Sequence, residues 1–275
     1  GSEADPYTLR TVAGFEALRD EIDAGIPLRN VYFKMTADVT LPADWDPMGS
    51  LKDPTLTGSE MQVVDMGRNV NPFSATLDGD GHTLTMSKGS KPLLEFARYA
   101  VVKNLNIQGE RIVGNGLLQY YTVDYGEDGV YNTGVPDTIT IENCHIVGKT
   151  NITRSGFLGG YASGANWVTI KNCSVGADVV IGCDKDQQRI GSLAGDFNGF
   201  VINCTSAATV YGTKRVGGLV GAKGQSMGPC DVMSSSFTGK VICAGDYAGG
   251  IMASGYVADS APNSPWARVM GCYVS

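Results

Sequence analysis

The chain has 275 residues, 43% of them apolar and only 18% charged, which allows one sizeable buried core. A formal charge of -7, with no Lys- or Arg-rich run, argues against a nucleic-acid partner. No apolar stretch approaches the roughly eighteen residues of a membrane-spanning helix, and 37 glycines with few helix formers point to an all-β chain.

Gly1-Ser2 resembles a remnant of tag removal, and residues 1–30 lack the charged-then-apolar form of a signal peptide, so a natural signal is expected to have been cut away. Thr11 to Ala24 reads as the one good helix. Val12, Phe15, Leu18 and Ile22 recur at near-helical spacing, and Gly25 is a stop signal. Residues 1–30 are therefore assigned to the tag remnant and a helical cap. From Asn30 to Leu41 the alternation of Val31, Phe33 and Met35 makes an entering strand. Residues 42–72, rich in Pro, Asp, Gly and Ser around Trp45 and Met61, read as a long excursion, open to a functional role or to packing over the end of the core.

Asp78-Gly79-Asp80-Gly81-His82 admits three readings: a tight turn, a Ca²⁺ site on Asp78 and Asp80, or an acid-base pair with His82. Asp-Gly pairs between two strands favour the turn. Residues 119–138 carry Tyr120, Tyr121, Tyr125 and Tyr131 among Asp124, Glu127 and Asp128. Such a loop either stacks on sugar rings or packs its tyrosines onto a strand face.

One short phrase recurs along the rest of the chain: Val102-Lys103-Asn104-Leu105, Ile141-Glu142-Asn143-Cys144, Ile170-Lys171-Asn172-Cys173, Val201-Ile202-Asn203-Cys204, Val232-Met233-Ser234-Ser235 and Val269-Met270-Gly271-Cys272. The steps between the fourth residues are 39, 29, 31, 31 and 37, a period near thirty with insertions, which is the signature of a solenoid. Ile139 and Ile141 share one strand face, yet the apolar set resumes at Cys144 and Ile146 after an odd step. A bend at Asn143 is required, and Asn tolerates the left-handed backbone that a tight bend needs. A second phrase alternates with the first: Arg154-Ser155-Gly156-Phe157-Leu158, Arg189-Ile190-Gly191-Ser192-Leu193, Arg215-Val216-Gly217-Gly218-Leu219 and the weaker Tyr247-Ala248-Gly249-Gly250-Ile251. There Gly217-Gly218 is expected to make the second corner. Two corners with short strands between them predict a right-handed parallel β-helix over residues 31–275, the hand following from the bias of parallel crossovers. The final phrase opens a coil that breaks off in mid-repeat, so a longer protein is expected.

Seven cysteines cannot all pair within one chain. Cys144, Cys173, Cys204 and Cys272 share a column with Leu105 and are expected to be small buried thiols. Without Cys-x2-Cys spacing, and with only His82 and His145 as histidines, no metal or other cofactor is expected.

The phrase Gly218-Leu219-Val220-Gly221 resembles the GLUG motif of repeat modules in large bacterial surface proteins, including adhesin-like proteins and some secreted immunoglobulin A metalloproteases. The lead-ins Phe33 to Leu41 and Phe73 to Leu84 resemble that family as well, so the likeness touches most of the chain from Tyr32 onward. It implies an extracellular location at the bacterial cell surface and a pectate lyase-like β-helix fold. It is almost silent on activity.

Arg154, Arg189 and Arg215 are read as one outward column, with Asp184, Asp186 and Asp246 on nearby segments. They form either an alternating salt-bridge ladder or a site for a carboxylated or sulfated glycan. The candidate binding residues are thus Arg154, Arg189, Arg215, Asp184, Asp186, Tyr120, Tyr121 and Tyr125, with no catalytic residue assigned. The expected function is a non-catalytic, monomeric adhesive, ligand-binding or spacing module, with an acidic glycan or host surface ligand as partner. A polysaccharide lyase or glycoside hydrolase is the alternative, for which Asp184, Asp186 and Asp196 are the one acidic cluster on consecutive coils. An accessory region of a secreted protease is the third reading.

Overall fold

The computed structural model describes residues 1–53, 55, 69–122, 138–159, 167–224, 228–255 and 267–275. The described strands form the expected parallel β-helix. Nine of them make one sheet, Tyr7–Leu9, Tyr32–Met35, Thr76–Asp78, Val101–Lys103, Thr138–Glu142, Trp167–Lys171, Gly199–Ile202, Cys230–Met233 and Ala267–Met270, all parallel and each one coil further along the chain. A second parallel sheet of eight strands begins three residues beyond the first, as in His145–Ile146 and Ser174–Val175. Further short sheets close the circuit, among them Gln188–Gly191 with Lys214–Gly217, and Ala194–Phe197 with Val220–Lys223.

The bend between the first two sheets has the conformation that the odd apolar step demanded. Asn104, Asn143, Asn172 and Asn203 sit at φ of 54°, 50°, 56° and 52°. Ser234 and Gly271 occupy the same place on later coils, at 49° and 59°. One residue further in, Leu105, Cys144, Cys173 and Cys204 form a buried column, which Ser235 and the half-exposed Cys272 continue. All seven cysteines are free thiols. Each amide in the column finds the next side chain: the Cys144 and Cys173 N–H groups donate to the Sγ of Cys173 and Cys204 at 3.4 Å, and that of Cys204 donates to Ser235 Oγ at 3.0 Å. Hydrogen bonding with neighbouring thiols, together with burial, pushes the Cys173 and Cys204 thiols well above their ordinary range, so they remain neutral.

The helix runs over Val12–Asp23, with Thr11 as its N-cap accepting from the Gly14 N–H at 3.2 Å and Gly25 in the left-handed region at φ 76°. Phe15, Leu18 and Ile22 are buried against the first coils. At the other end Val269 and Val274 are 49% and 48% exposed.

The excursion leaves the wall at Met48, which bridges Leu94, and rejoins it at Phe73, which bridges Ala97. Its base is a small antiparallel ladder of Ser50–Leu51 with Val70–Asn71, and Trp45 is buried under the Arg19 guanidinium, 5.5 Å from the ring centre. Met61 lies outside the described residues. The Asp78 to His82 segment is the turn: Asp80 and Gly81 have φ of 50° and 80°, and Asp78 accepts from the Asp80 N–H at 2.9 Å. Lys34 pairs with Asp80 at 3.0 Å, and His82 Nδ1 lies 3.1 Å from Asp38.

Candidate functional site

The corner that carries the arginines departs from its expected construction in two ways. The left-handed residue is the arginine itself: Arg189 and Arg215 have φ of 57° and 56°, and Tyr247 follows at 66°, whereas neither Gly217 nor Gly218 is left-handed. The glycines are there for space. A Cβ at Gly218 would stand 1.8 Å from the Gly250 carbonyl oxygen and 2.6 Å from the Phe237 ring, and one at Gly156 would stand 1.7 Å from the Ser192 carbonyl oxygen. Successive backbones therefore approach too closely at Gly156 and Gly218 for a side chain there.

The second departure is register. Ile190 pairs with Val216, and Ala194 pairs with both Leu158 and Val220, so Gly156 stands level with Ser192 and Gly218. Arg154 lies outside the column that Arg189 and Arg215 share: its carbonyl oxygen accepts from the Gly182 N–H at 3.0 Å, seven residues before Arg189. The apparent alignment of the three arginines matched Leu158 to Leu193, and the structure displaces it by one residue.

The carboxylate that meets this column is Asp196, on the strand Ala194–Phe197. The Arg189 guanidinium donates to its carboxylate at 2.6 Å, and the Asp196 side chain is only 13% exposed. Burial raises the Asp196 carboxyl above its ordinary value and outweighs the opposing fields of Arg189, Arg215 and Arg154. Its neighbour in the ladder is Ala222, which leaves the carboxylate room beside the guanidiniums. Arg215 also lies over the Tyr247 ring at 5.9 Å, and Arg154 is exposed.

Asp184 and Asp186 meet other partners. Asp184 takes a bidentate pair from Arg111 at 2.6 and 3.0 Å, with Cys183 Sγ 3.4 Å from the same guanidinium. Arg111 holds the Asp184 carboxyl below its usual range. Asp186 accepts from its neighbour Gln187 at 2.8 Å. Asp246 contributes its backbone carbonyl, which accepts from the Arg215 N–H at 3.0 Å. An alternating charge ladder of the kind considered for the arginines does exist, but on the first sheet. There Lys34, Asp78, Lys103, Glu142 and Lys171 are in register, with ion pairs of 3.5 Å for Lys103–Asp78 and 3.1 Å for Lys171–Glu142. Exposed pairs of this sort contribute about 0–1 kcal/mol each.

Tyr120 and Tyr121 belong to a strand, Leu118–Tyr121, and not to a loop. Tyr120 is half-buried and stacks on Phe96 at 5.5 Å and 25°. Tyr121 is buried, and burial, offset in part by hydrogen bonding to Asn198, raises its hydroxyl far above the ordinary range. Leu118, Leu158 and Ala194 are bridged in turn, so Tyr120 and Asp196, each two residues further on, face the same way from coils two apart. Their separation along the stack is about 10 Å. Tyr125 and Tyr131 lie outside the described residues.

Asp196 escaped sequence reading as the partner of the arginines because it follows Arg189 on the far side of a corner. In an extended chain seven residues span over 20 Å, and only the reversal at Gly191 to Leu193 brings the two together. Among the described residues no three His, Cys, Asp or Glu side chains are placed to hold a metal ion, and no helix is long and apolar enough to cross a membrane.

No protein-family model matches the chain. It is 26% identical over 225 residues to halomucin of Haloquadratum walsbyi (strain DSM 16790 / HBSQ001), a match covering 80% of this chain and 2% of that protein. The chain thus spans about 2% of the length of the curated relative it matches. Among solved structures, a Bacteroides ovatus protein provisionally named an immunoglobulin A1 protease superposes with a TM-score of 0.59 at 17% identity. The superposition covers 100% of this chain and 76% of the other, a likeness of fold.

Proposed function

We propose that this chain is a non-catalytic module of an exported microbial surface protein, of the GLUG-repeat kind, and that its arginine corner holds extended acidic glycans. The observation that carries the reading is the Arg189 guanidinium on the enclosed Asp196 carboxylate at 2.6 Å, within the fields of Arg215 and the exposed Arg154. The chain's net charge is -7, so arginines on three successive coils run against the overall charge. Guanidinium groups fit carboxylate and sulfate bidentately. Tyr120, on the same outer face, adds an aromatic edge beside which a sugar ring can lie. The likeness to halomucin and to the Bacteroides ovatus β-helix supports an extracellular surface location. A site built on strand spacing favours a polymer, with weak contacts summed along it.

The test is calorimetric titration with heparin and polygalacturonate at low and high salt. Modest binding, weakened by salt and lost in the Arg154→Ala/Arg189→Ala double variant, is the expected result. Binding untouched by these changes removes the corner from the reading. Chromatography of the same mixtures should show no shortened or unsaturated products. Cleavage lost on Asp184→Ala or Asp186→Ala would replace the adhesive reading with a lyase or hydrolase.

A further inference from the structure

A second candidate site lies at the bend between the first two sheets, where the Asp78 to His82 turn meets the next two coils. Asp80, Gly81, Asn104, Asn106, Asn143 and His145 line an open depression of about 270 Å³. That is close to the lower end of the size range of small-molecule sites. Gly81 leaves it clear, since a Cβ there would meet nothing within 4 Å.

The polar groups of the depression are held in place. The ladder of asparagine amides breaks here, because the Asn143 Oδ1 accepts from His145 Nε2 at 3.2 Å and not from Asn172. An amide oxygen only accepts, so Nε2 carries the imidazole proton and Nδ1 accepts from the Ser174 hydroxyl at 2.7 Å. Burial lowers the His145 pKa and keeps the ring neutral. Asn106 donates through Nδ2 to the Gly81 carbonyl at 2.8 Å. Lys34 pairs with Asp80 at 3.0 Å and Lys103 with Asp78 at 3.5 Å, so the charges at this bend are offset one by one.

Hydrogen-bonding capacity remains after these contacts. The Nδ2 groups of Asn104 and Asn143 each use one of two N–H donors, on Asp78 and on Asn104. Asn106 Oδ1 accepts from no described residue, and the Asp80 carboxylate has acceptor sites beyond the one that Lys34 takes.

We propose that this depression seats one residue of a neutral polysaccharide. Sugar hydroxyls both donate and accept, which matches fixed amide donors beside a carbonyl and a carboxylate acceptor, while the paired charges favour an ion of neither sign. The polymer follows from what adjoins the depression. Beyond His145, Ser174, Thr205 and Ser236 stand in register on the next three coils, a hydroxyl about every 4.8 Å. The site shares no residue with the arginine corner, and its ligand is uncharged where that one is acidic.

Saturation-transfer NMR of the whole protein tests this with hexasaccharides of glucan, mannan, galactan and xylan and with the corresponding monosaccharides. At least one hexasaccharide should give transfer and bind at least about threefold tighter than its monosaccharide. Its dissociation constant should stay within about twofold between low and high salt, unlike binding at the arginine corner. Asn106→Ala should weaken it about tenfold. Gly81→Asn, which tolerates the left-handed turn at φ 80° and adds a side chain to the wall, should do the same even if Asn106→Ala folds poorly. Arg154→Ala/Arg189→Ala should leave binding unchanged, which distinguishes this site from the corner. No transfer from any hexasaccharide, equal affinity for hexasaccharide and monosaccharide, loss of binding at high salt, or binding that survives both variants overturns the proposal.

Discussion

The coils turn at an asparagine edge and, where Arg189 and Arg215 stand, at an arginine edge; both edges use left-handed non-glycine residues, yet they are built differently. At the asparagine edge the side chain of the turning residue stabilises the turn. Asn143 donates to Asn104 at 2.9 Å, Asn203 donates to Asn172 at 2.8 Å, and the first run ends on the Asp78 carboxylate at 2.9 Å. At the arginine edge the side chain of the turning residue leaves the turn, Arg189 for Asp196 and Arg215 for the Tyr247 ring, and glycines beside it allow the backbones to close. The first edge repeats with little variation and binds itself. The second releases its polar side chains, and it is the edge where charged ligands can be placed.

The largest effect expected from breaking that difference is at Gly218. Gly218→Val would drive its side chain into the Gly250 carbonyl and the Phe237 ring, at a cost of about 3 kcal/mol or more. The thermal midpoint followed by circular dichroism should fall by about 10 °C. A drop of a degree or two would show that this edge has slack.

A smaller loss is expected at the asparagine edge. Asn172→Ala removes the acceptor of the Asn203 amide and puts alanine at φ 56°, for about 2 kcal/mol in all. Asn172→Gly should recover the conformational part, so urea midpoints in the order wild type, Gly, Ala are expected. Equal midpoints for the Gly and Ala variants would leave the left-handed geometry out of the account.

The smallest effect is in pH dependence, where the two edges should have opposite signs. At Asp78 burial would raise the carboxyl, but hydrogen bonds from Asn104 and the Asp80 N–H, together with Lys103, hold it below the ordinary 3.8. Its stabilisation is present above that value and is lost as pH falls through the depressed folded-state value. At Asp196 the folded-state value is raised. The folded protein then binds the proton first, so its destabilising share is greatest above the raised value and is relieved as pH falls toward 3.8. Thermal midpoints of Asp78→Asn and Asp196→Asn between about pH 7 and about pH 3 should therefore depart from wild type in opposite directions on acidification. Parallel departures would mean that Asp196 is not a strained carboxylate.

The repeat period, the buried column from Leu105 to Cys272, the left-handed asparagines and the helix near the N-terminus were all legible in the residues. They depend on local rules: side-chain alternation, the steric cost of positive φ, and the burial of small apolar groups at a fixed place in each coil. Register at the arginine edge was not legible. Leu158 and Leu193 look equivalent in sequence, but the pairing of Leu158 with Ala194 displaces the copies by one, because glycine-rich backbone tolerates more than one alignment and core packing selects among them. The turn in Asp78 to His82, left open beside a metal or acid-base site, was decided by contacts from Asn104 and Lys103 on the next coil. Asp196 reached Arg189, and Asp184 reached Arg111 from 73 residues away, only once the chain had wound. Sequence sets what each coil must bury, whereas meetings between outward charges on different coils follow from how the coils stack.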